Sequence, residues 1–244
     1  FGVGAVPIQL PIGTQAEFKG VVDLLAEKAY LGDNATEAAV PAGMIGEVHE
    51  ARTALIEAAA EGDDALMEKY FEEGTLSSAE ILRGLKARIA SGDFVPVLLG
   101  SAAMNVGVRS LIAAIVDLLP SPVDLPPIKA TNPATGTDVD LRADAAGPLA
   151  ALIFKTMADP SVGRMSFFRV YSGTVESDSR LYNSRAGSEE RIGQLYTMRG
   201  KEQMPVTRVP AGDIAVVTKL SESGTGDTLC DRGTPLRLAP PAYP

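Results

Sequence analysis

The chain has 244 residues, 45% of them apolar, and its 22 basic and 31 acidic side chains give a formal net charge of -9. That length suits one large domain or two ordinary ones with ample material for a core; the apolar runs fall far short of the roughly 20 residues of a membrane span, and no secretion signal is expected. One cysteine, Cys230, excludes an internal disulfide, and one histidine, His49, leaves a Cys/His metal cage or a Ser/His/Asp triad resting on a single residue, so a reducing, cytoplasmic setting is expected.

Charge and composition change together along the chain. Phe1 to Leu125 carries 18 acidic and 8 basic residues, a net of -10, whereas Pro126 to Pro244 carries 13 and 14, a net of +1. An acidic first half repels nucleic acid at long range and favours a basic partner, while the second half has room for a local arginine patch. Pro120, Pro122, Pro126, Pro127 and Pro133 crowd a stretch that no helix or central strand tolerates, since proline lacks the amide donor. Residues 1–125 therefore read as an α/β part, 126–147 as a Pro-rich linker and barrel entry, and 148–244 as an all-β part of antiparallel barrel or sandwich type.

Val6 to Ile12 reads as a strand ending at Gly13, with further extended segments at Phe18 to Leu25 and Lys28 to Leu31. Met44 to Glu61 reads as an amphipathic helix. At about 100° per residue, Glu47, Glu50, Glu57 and Glu61 fall within a sector roughly 80° wide, opposite Val48, Leu55, Ile56 and Ala59. The stripe suits either a solvated helix face or a docking face for a basic partner. A second helix near Asp64 to Glu73 is stopped by Gly74, and Ser77 with Glu80 forms a capping box opening a third, with Ile81, Leu82, Leu85 and Ile89 on one face.

After Gly92 come the apolar run Phe94 to Leu99, the small residues Gly100, Ser101, Ala102 and Ala103, and a helix from about Gly107 to Leu119. Strand, small-residue loop and helix in that order describe either an ordinary turn or the carboxyl edge of an α/β sheet, where backbone amides approach a ligand. In the second half, Arg180, Arg185, Arg191, Arg199 and Lys201 are either solvated or available to phosphates. Asp159-Pro160 and Gly212-Asp213 read as turns, Cys230 as a buried small residue, and His49 has no catalytic partner in the sequence. No carboxylate pair is singled out as a catalytic acid and base.

Val6-Pro7-Ile8-Gln9-Leu10-Pro11-Ile12-Gly13, Phe18-Lys19-Gly20-Val21-Val22-Asp23-Leu24, Pro96-Val97-Leu98-Leu99-Gly100-Ser101-Ala102 and Leu119-Pro120-Ser121-Pro122 together resemble elongation factor G, the ribosomal translocase. So do Phe154-Lys155, Asp159-Pro160, Gly163-Arg164, Arg169-Val170-Tyr171-Ser172-Gly173, Arg191-Ile192-Gly193, Ala211-Gly212-Asp213-Ile214 and Thr225-Gly226-Asp227-Thr228-Leu229-Cys230, in order and spacing. The resemblance covers nearly the whole chain and implies an α/β piece, the end of a GTPase domain with its inserted subdomain, followed by a translation-factor β-barrel. It implies a piece of a larger GTPase, with the phosphate loop, switches and Asn-Lys-x-Asp selector before this stretch and three domains after it.

No G-x-x-x-x-G-K-[ST] occurs, so no GTP or Mg is expected to be held by this chain alone, although the intact parent uses both. Asp144-Ala145-Ala146-Gly147 spells a switch-like D-x-x-G, but beyond the linker and with no phosphate loop to serve. The resemblance implies that Gly100, Ser101 and Ala102 form the loop contacting the guanine base. It implies that the insertion, about Ala5 to Ile89, docks on the stalk protein of the large ribosomal subunit through Glu47, Glu50, Glu57 and Glu61. It further implies that the barrel meets small-subunit RNA and protein, with Arg180, Arg185, Arg191, Arg199 and Lys201 as RNA contacts. A monomer is expected, with no DNA or membrane partner. After Arg191-Ile192-Gly193-Gln194-Leu195 the family continues Met-His-Ala-Asn, whereas here Met198 precedes Arg199-Gly200-Lys201-Glu202, which resembles the elongation factor G-like paralogue. A freestanding, non-hydrolysing ribosome-binding module is the alternative.

Overall fold

The computed structural model describes residues 4–159 and 163–240; Phe1, Pro160 and the tail from Pro241 to Pro244 lie outside the described residues. Two compact units divide the chain, Phe1–Pro120 and Ser121–Pro244. In chain order the first runs β1 (Gly4–Pro7), β2 (Gln9–Ile12), β3 (Gly20–Asp23), β4 (Lys28–Leu31), β5 (Thr36–Ala38), α1 (Ile45–Ala60), α2 (Asp64–Glu73), α3 (Ser78–Ser91), β6 (Phe94–Val97) and α4 (Val108–Leu118).

The stretch Val6 to Ile12, expected as one strand, is two. Ile8 N donates to Val97 O at 3.0 Å, continuing the parallel β1–β6 ladder, but Ile8 O accepts from Leu24 N at 3.1 Å. The chain thus changes sheets at Ile8, and β2 to β5 form a separate antiparallel sheet in sequence order. The run from Val6 to Ile12, broken only by Gln9, carries no periodicity signal of that change.

The helices form where their caps allow. Asp63 accepts from Ala65 N at 2.8 Å to open α2, and Gly74, at φ 69°, closes it. Ser77 and Glu80 bond reciprocally to open α3, which ends at Gly92, φ 84°. Helix α3 crosses α1 at small residues: a Cβ on Gly84 would sit 2.0 Å from Ala59 O. One core joins the sheet and helices, with Ile8, Val22 and Leu24 packed among Leu55, Leu66, Ile81, Leu85, Phe94 and Leu118.

The second unit runs β7 (Ile128–Thr131), β8 (Asp138–Leu141), β9 (Ala150–Asp159), β10 (Gly163–Ser172), β11 (Thr174–Glu176), β12 (Arg180–Asn183), β13 (Ser188–Arg191), β14 (Leu195–Arg199), β15 (Glu202–Val206), β16 (Arg208–Pro210), β17 (Ile214–Thr218), β18 (Thr228–Cys230) and β19 (Arg237–Leu238). Among the described residues an eight-stranded antiparallel sheet, ordered β13-β12-β18-β9-β10-β17-β14-β15, and the β11–β16 pair enclose one barrel-like core. Ile153, Phe168, Val170, Val175, Leu195, Val209, Val217 and Leu229 fill it.

Residues 126–147 hold β7 and β8, which pair with one another and, through β7, with β19. This small sheet buries Ala130, Leu141 and Leu238 against Ala150, Leu152 and Cys230 on the outer side of the large sheet. The prolines stand before β7 or in its hairpin turn, where no ladder donor is required. Asp144 and Gly147 form a turn: Asp144 O accepts from Gly147 N at 3.1 Å and Gly173 N at 2.8 Å. Among the described residues no helix is long and apolar enough to cross a membrane.

Candidate functional site

The loop between β6 and α4 is built by its own backbone. Ser101 and Val106 exchange both bonds, Ser101 N to Val106 O at 2.9 Å and Val106 N to Ser101 O at 3.1 Å. Ser101 Oγ accepts from Met104 N at 3.4 Å, and Asn105 takes a left-handed φ of 56° to close the turn. Gly107 is required where it stands, because at φ 79° a Cβ would lie 2.5 Å from Leu99 O. A cavity of about 210 Å³ is lined by Leu98, Leu99, Gly100, Ser101, Ala102, Gly107, Val108 and Leu111. The amides of Gly100 and Ala102 have no acceptor among the described residues. Small side chains and free amides suit the flat edge of a polar ring. With no cation in the lining, nothing there balances a phosphate.

Glu47, Glu50 and Glu57 of α1 and Glu61 at its C-cap are all exposed, but their surroundings divide them. Glu57 accepts from Tyr70 Oη at 3.2 Å, and Glu61 pairs with Arg88 at 2.6 Å, so both tie α1 to neighbouring helices. Glu47 and Glu50 have no hydrogen-bond or ion-pair partner among the described residues. Glu47 lies in the first turn, where the helix dipole favours a negative charge. His49 is exposed, and its carbonyl accepts from Thr53 Oγ1 at 2.9 Å.

The five basic residues of the second unit do not form one row. Arg199 and Lys201 flank Gly200 at the β14–β15 turn, and Arg199 pairs with Glu202 at 2.7 Å. Arg180 and Arg191 face one another across β12–β13, with Glu189 3.6 Å from Arg180. Arg185 is held in place internally: its Nε donates to Asp227 Oδ1, and its Nη2 to Asp227 Oδ2 at 2.8 Å. Arg191 and Lys201 have no ion-pair partner among the described residues.

Arg185 belongs to a buried polar network that sequence reasoning missed. Asn183 donates to Ser223 Oγ at 2.8 Å and Asp227 Oδ2 at 3.0 Å, while its carbonyl accepts from Arg185 N and Ala186 N. Beside it Glu190, 2% exposed, accepts from Ser221 N, Glu222 N and Ser223 N at 2.9, 2.8 and 2.7 Å. Burial opposes ionisation of both carboxyls. For Glu190 those three backbone donors outweigh it, and for Asp227 the Arg185 guanidinium with Gly224 N and Asn183 does, so both titrate below the usual carboxylate range. The sequence carries no clear signal of this network: Glu190 sits in the wholly polar run Ser188–Arg191, and Asn183 ends β12. Cys230 is buried, its thiol pushed up by desolvation.

Comparison with known proteins bears on this geometry. Residues 148–232 match the family model for elongation factor G domain 2. A crystal structure of a protein from Thermus thermophilus matches with a TM-score of 0.76 at 28% sequence identity, over 93% of this chain. The chain spans about a third of that protein's length, 32%.

Proposed function

We propose, for a chain that belongs to the elongation factor G family through its domain 2 at residues 148–232, that it forms the middle of a ribosome-acting GTPase. In this reading the first unit supplies the guanine-contacting loop and a docking face, and the barrel supplies contact with ribosomal RNA. The β6–α4 loop carries the reading: Gly100 and Ala102 offer uncommitted amides beside a cavity of about 210 Å³ with no cation in its lining. Such a loop recognises a base edge through backbone donors and contributes nothing to phosphate or Mg affinity. Hydrolysis of GTP, and the cofactors it needs, belong to the intact parent.

Docking on a basic stalk surface falls to Glu47 and Glu50, since Glu57 and Glu61 are engaged within the unit. Exposed pairs of this kind are worth about 0–1 kcal/mol each and act mainly on encounter rate. RNA contact falls first to Arg191 and Lys201, which have no ion-pair partner among the described residues.

Calorimetry with Mg-GTP and this chain tests the assignment of chemistry, with no tight, Mg-dependent complex expected; finding one would overturn it. For the docking face, E47K/E50K is expected to weaken binding to the isolated ribosomal stalk several-fold at low salt, with the difference closing as salt rises. Equal affinity at low salt would return the face to solvent decoration.

A further inference from the structure

A parallel ladder has a fixed grammar: a residue donates to the partner one step back and accepts from the partner one step ahead. In the β1–β6 register, Pro7 lies opposite Val97, so Ile8 is the next residue to face Leu98. Ile8 N keeps its half of the pattern by donating to Val97 O at 3.0 Å. By the same rule Ile8 O is due to accept from Leu99 N. It accepts instead from Leu24 N at 3.1 Å, because the chain turns there into the inserted sheet.

Leu99 N is not left without a partner. It donates to the side-chain Oε1 of Gln9 at 3.2 Å, across a sequence separation of 90 residues. Gln9 is 1% exposed and lies opposite Asp23 in the β2–β3 ladder, and its side chain reaches back to β6. The bond from Leu99 N also fixes which end of the amide is oxygen. Gln9 Nε2 is consequently a buried donor with no partner among the described residues. An apolar side chain of similar length would avoid that cost. Retaining the amide is explained by the acceptor it places at Leu99, one residue before Gly100.

We infer that Gln9 is the positioning residue of the Gly100–Ala102 loop, its side-chain carbonyl standing in for the backbone rung that Ile8 gives up to the inserted sheet. It acts on the loop through Leu99 and touches no ligand. The start of the loop is thereby fixed by a residue of β2, the first strand of the β2–β5 sheet, and loosening that residue releases the loop without unfolding the unit. The inference deepens the guanine-loop reading and rests on it only for the loop's purpose.

Amide hydrogen exchange on the full chain, read by NMR, tests it. In the unsubstituted chain Leu99 N is expected to be protected while Gly100 N and Ala102 N exchange freely; a Leu99 as fast as those two overturns the inference whatever any variant does. In Q9M, Leu99 exchange is expected to rise about five- to tenfold, the loss of one hydrogen bond, with Val22 and Leu55 unchanged. Q9E, which keeps an oxygen at the same reach, is expected to restore protection. No change at Leu99 in Q9M, or an equal rise at Leu99, Val22 and Leu55 marking general unfolding, overturns it. Titration with guanosine separates the two readings: a protected Leu99 with unmoved Gly100–Ala102 resonances retires the guanine assignment and leaves the role of Gln9 standing.

Discussion

Single residues set the limits of what this chain tolerates. Gly107 combines φ 79° with a backbone oxygen 2.5 Å from any added Cβ, so G107A is expected to cost about 1–3 kcal/mol in urea unfolding of the first unit. Cys230 is buried, and desolvation disfavours its thiolate. It is expected to resist a thiol reagent until the second unit unfolds, whereas rapid labelling of the folded chain would contradict the packing. The sequence made the small residues of the β6–α4 loop and the inert cysteine legible, since size and isolation are visible in one dimension. Which charges were free was not legible: Arg185 and Glu61 look like any surface ion until Asp227 and Arg88 are placed beside them.

Elements obey the local rules more closely than single charges do. The capping box at Ser77 and Glu80 was written in the sequence and is formed, as were the glycine stops of α2 and α3. Glu80 is lowered to about 2, first by its bond from Lys69 Nζ and then by those from Ser77. A depressed carboxyl contributes stability that is fully present above its ordinary value near 4.5 and is lost as pH falls toward about 2. E80Q is therefore expected to flatten the acid limb of the first unit's stability curve in that window, with S77A removing about 1 kcal/mol at neutral pH. Helix packing gives a test in which two effects oppose. Replacing Gly84 by alanine improves helix propensity by about 1 kcal/mol, yet the new Cβ would meet Ala59 O at 2.0 Å. Overpacking wins, and G84A is expected to destabilise by about 1–3 kcal/mol net in denaturant titration. The sheet change at Ile8 was illegible because it depends on which strand captures one carbonyl, a contest between Leu24 and Leu99 that no periodicity records.

At the scale of the molecule, each hydrophobic core closes within its own unit: the first cluster ends at Leu118, and the two clusters of the second begin at Ala130 and Leu149. Residues 121–244 expressed alone are expected to give a cooperative thermal transition with β-type circular dichroism. In that unit Glu190 and Asp227 bind protons less readily than in an unfolded chain. Its stability should hold above the ordinary carboxylate range and fall as pH drops through their lowered values, and E190Q should blunt that fall. The units divide at Pro120, five residues before the break at which the charge was counted; the small sheet of β7, β8 and β19 was not legible, because its third strand arrives from residue 237. That reach across the chain has a counterpart in the first unit, where β1 and β6 meet over about 90 residues of intervening chain. Closing so long a loop carries its entropy before any rung repays it. The inserted sheet and its helices make mostly local contacts and can assemble first, bringing Gly4 and Phe94 together as they do. The parallel pair, with the loop it carries, is then expected to be the last part of the unit to form and the first to open.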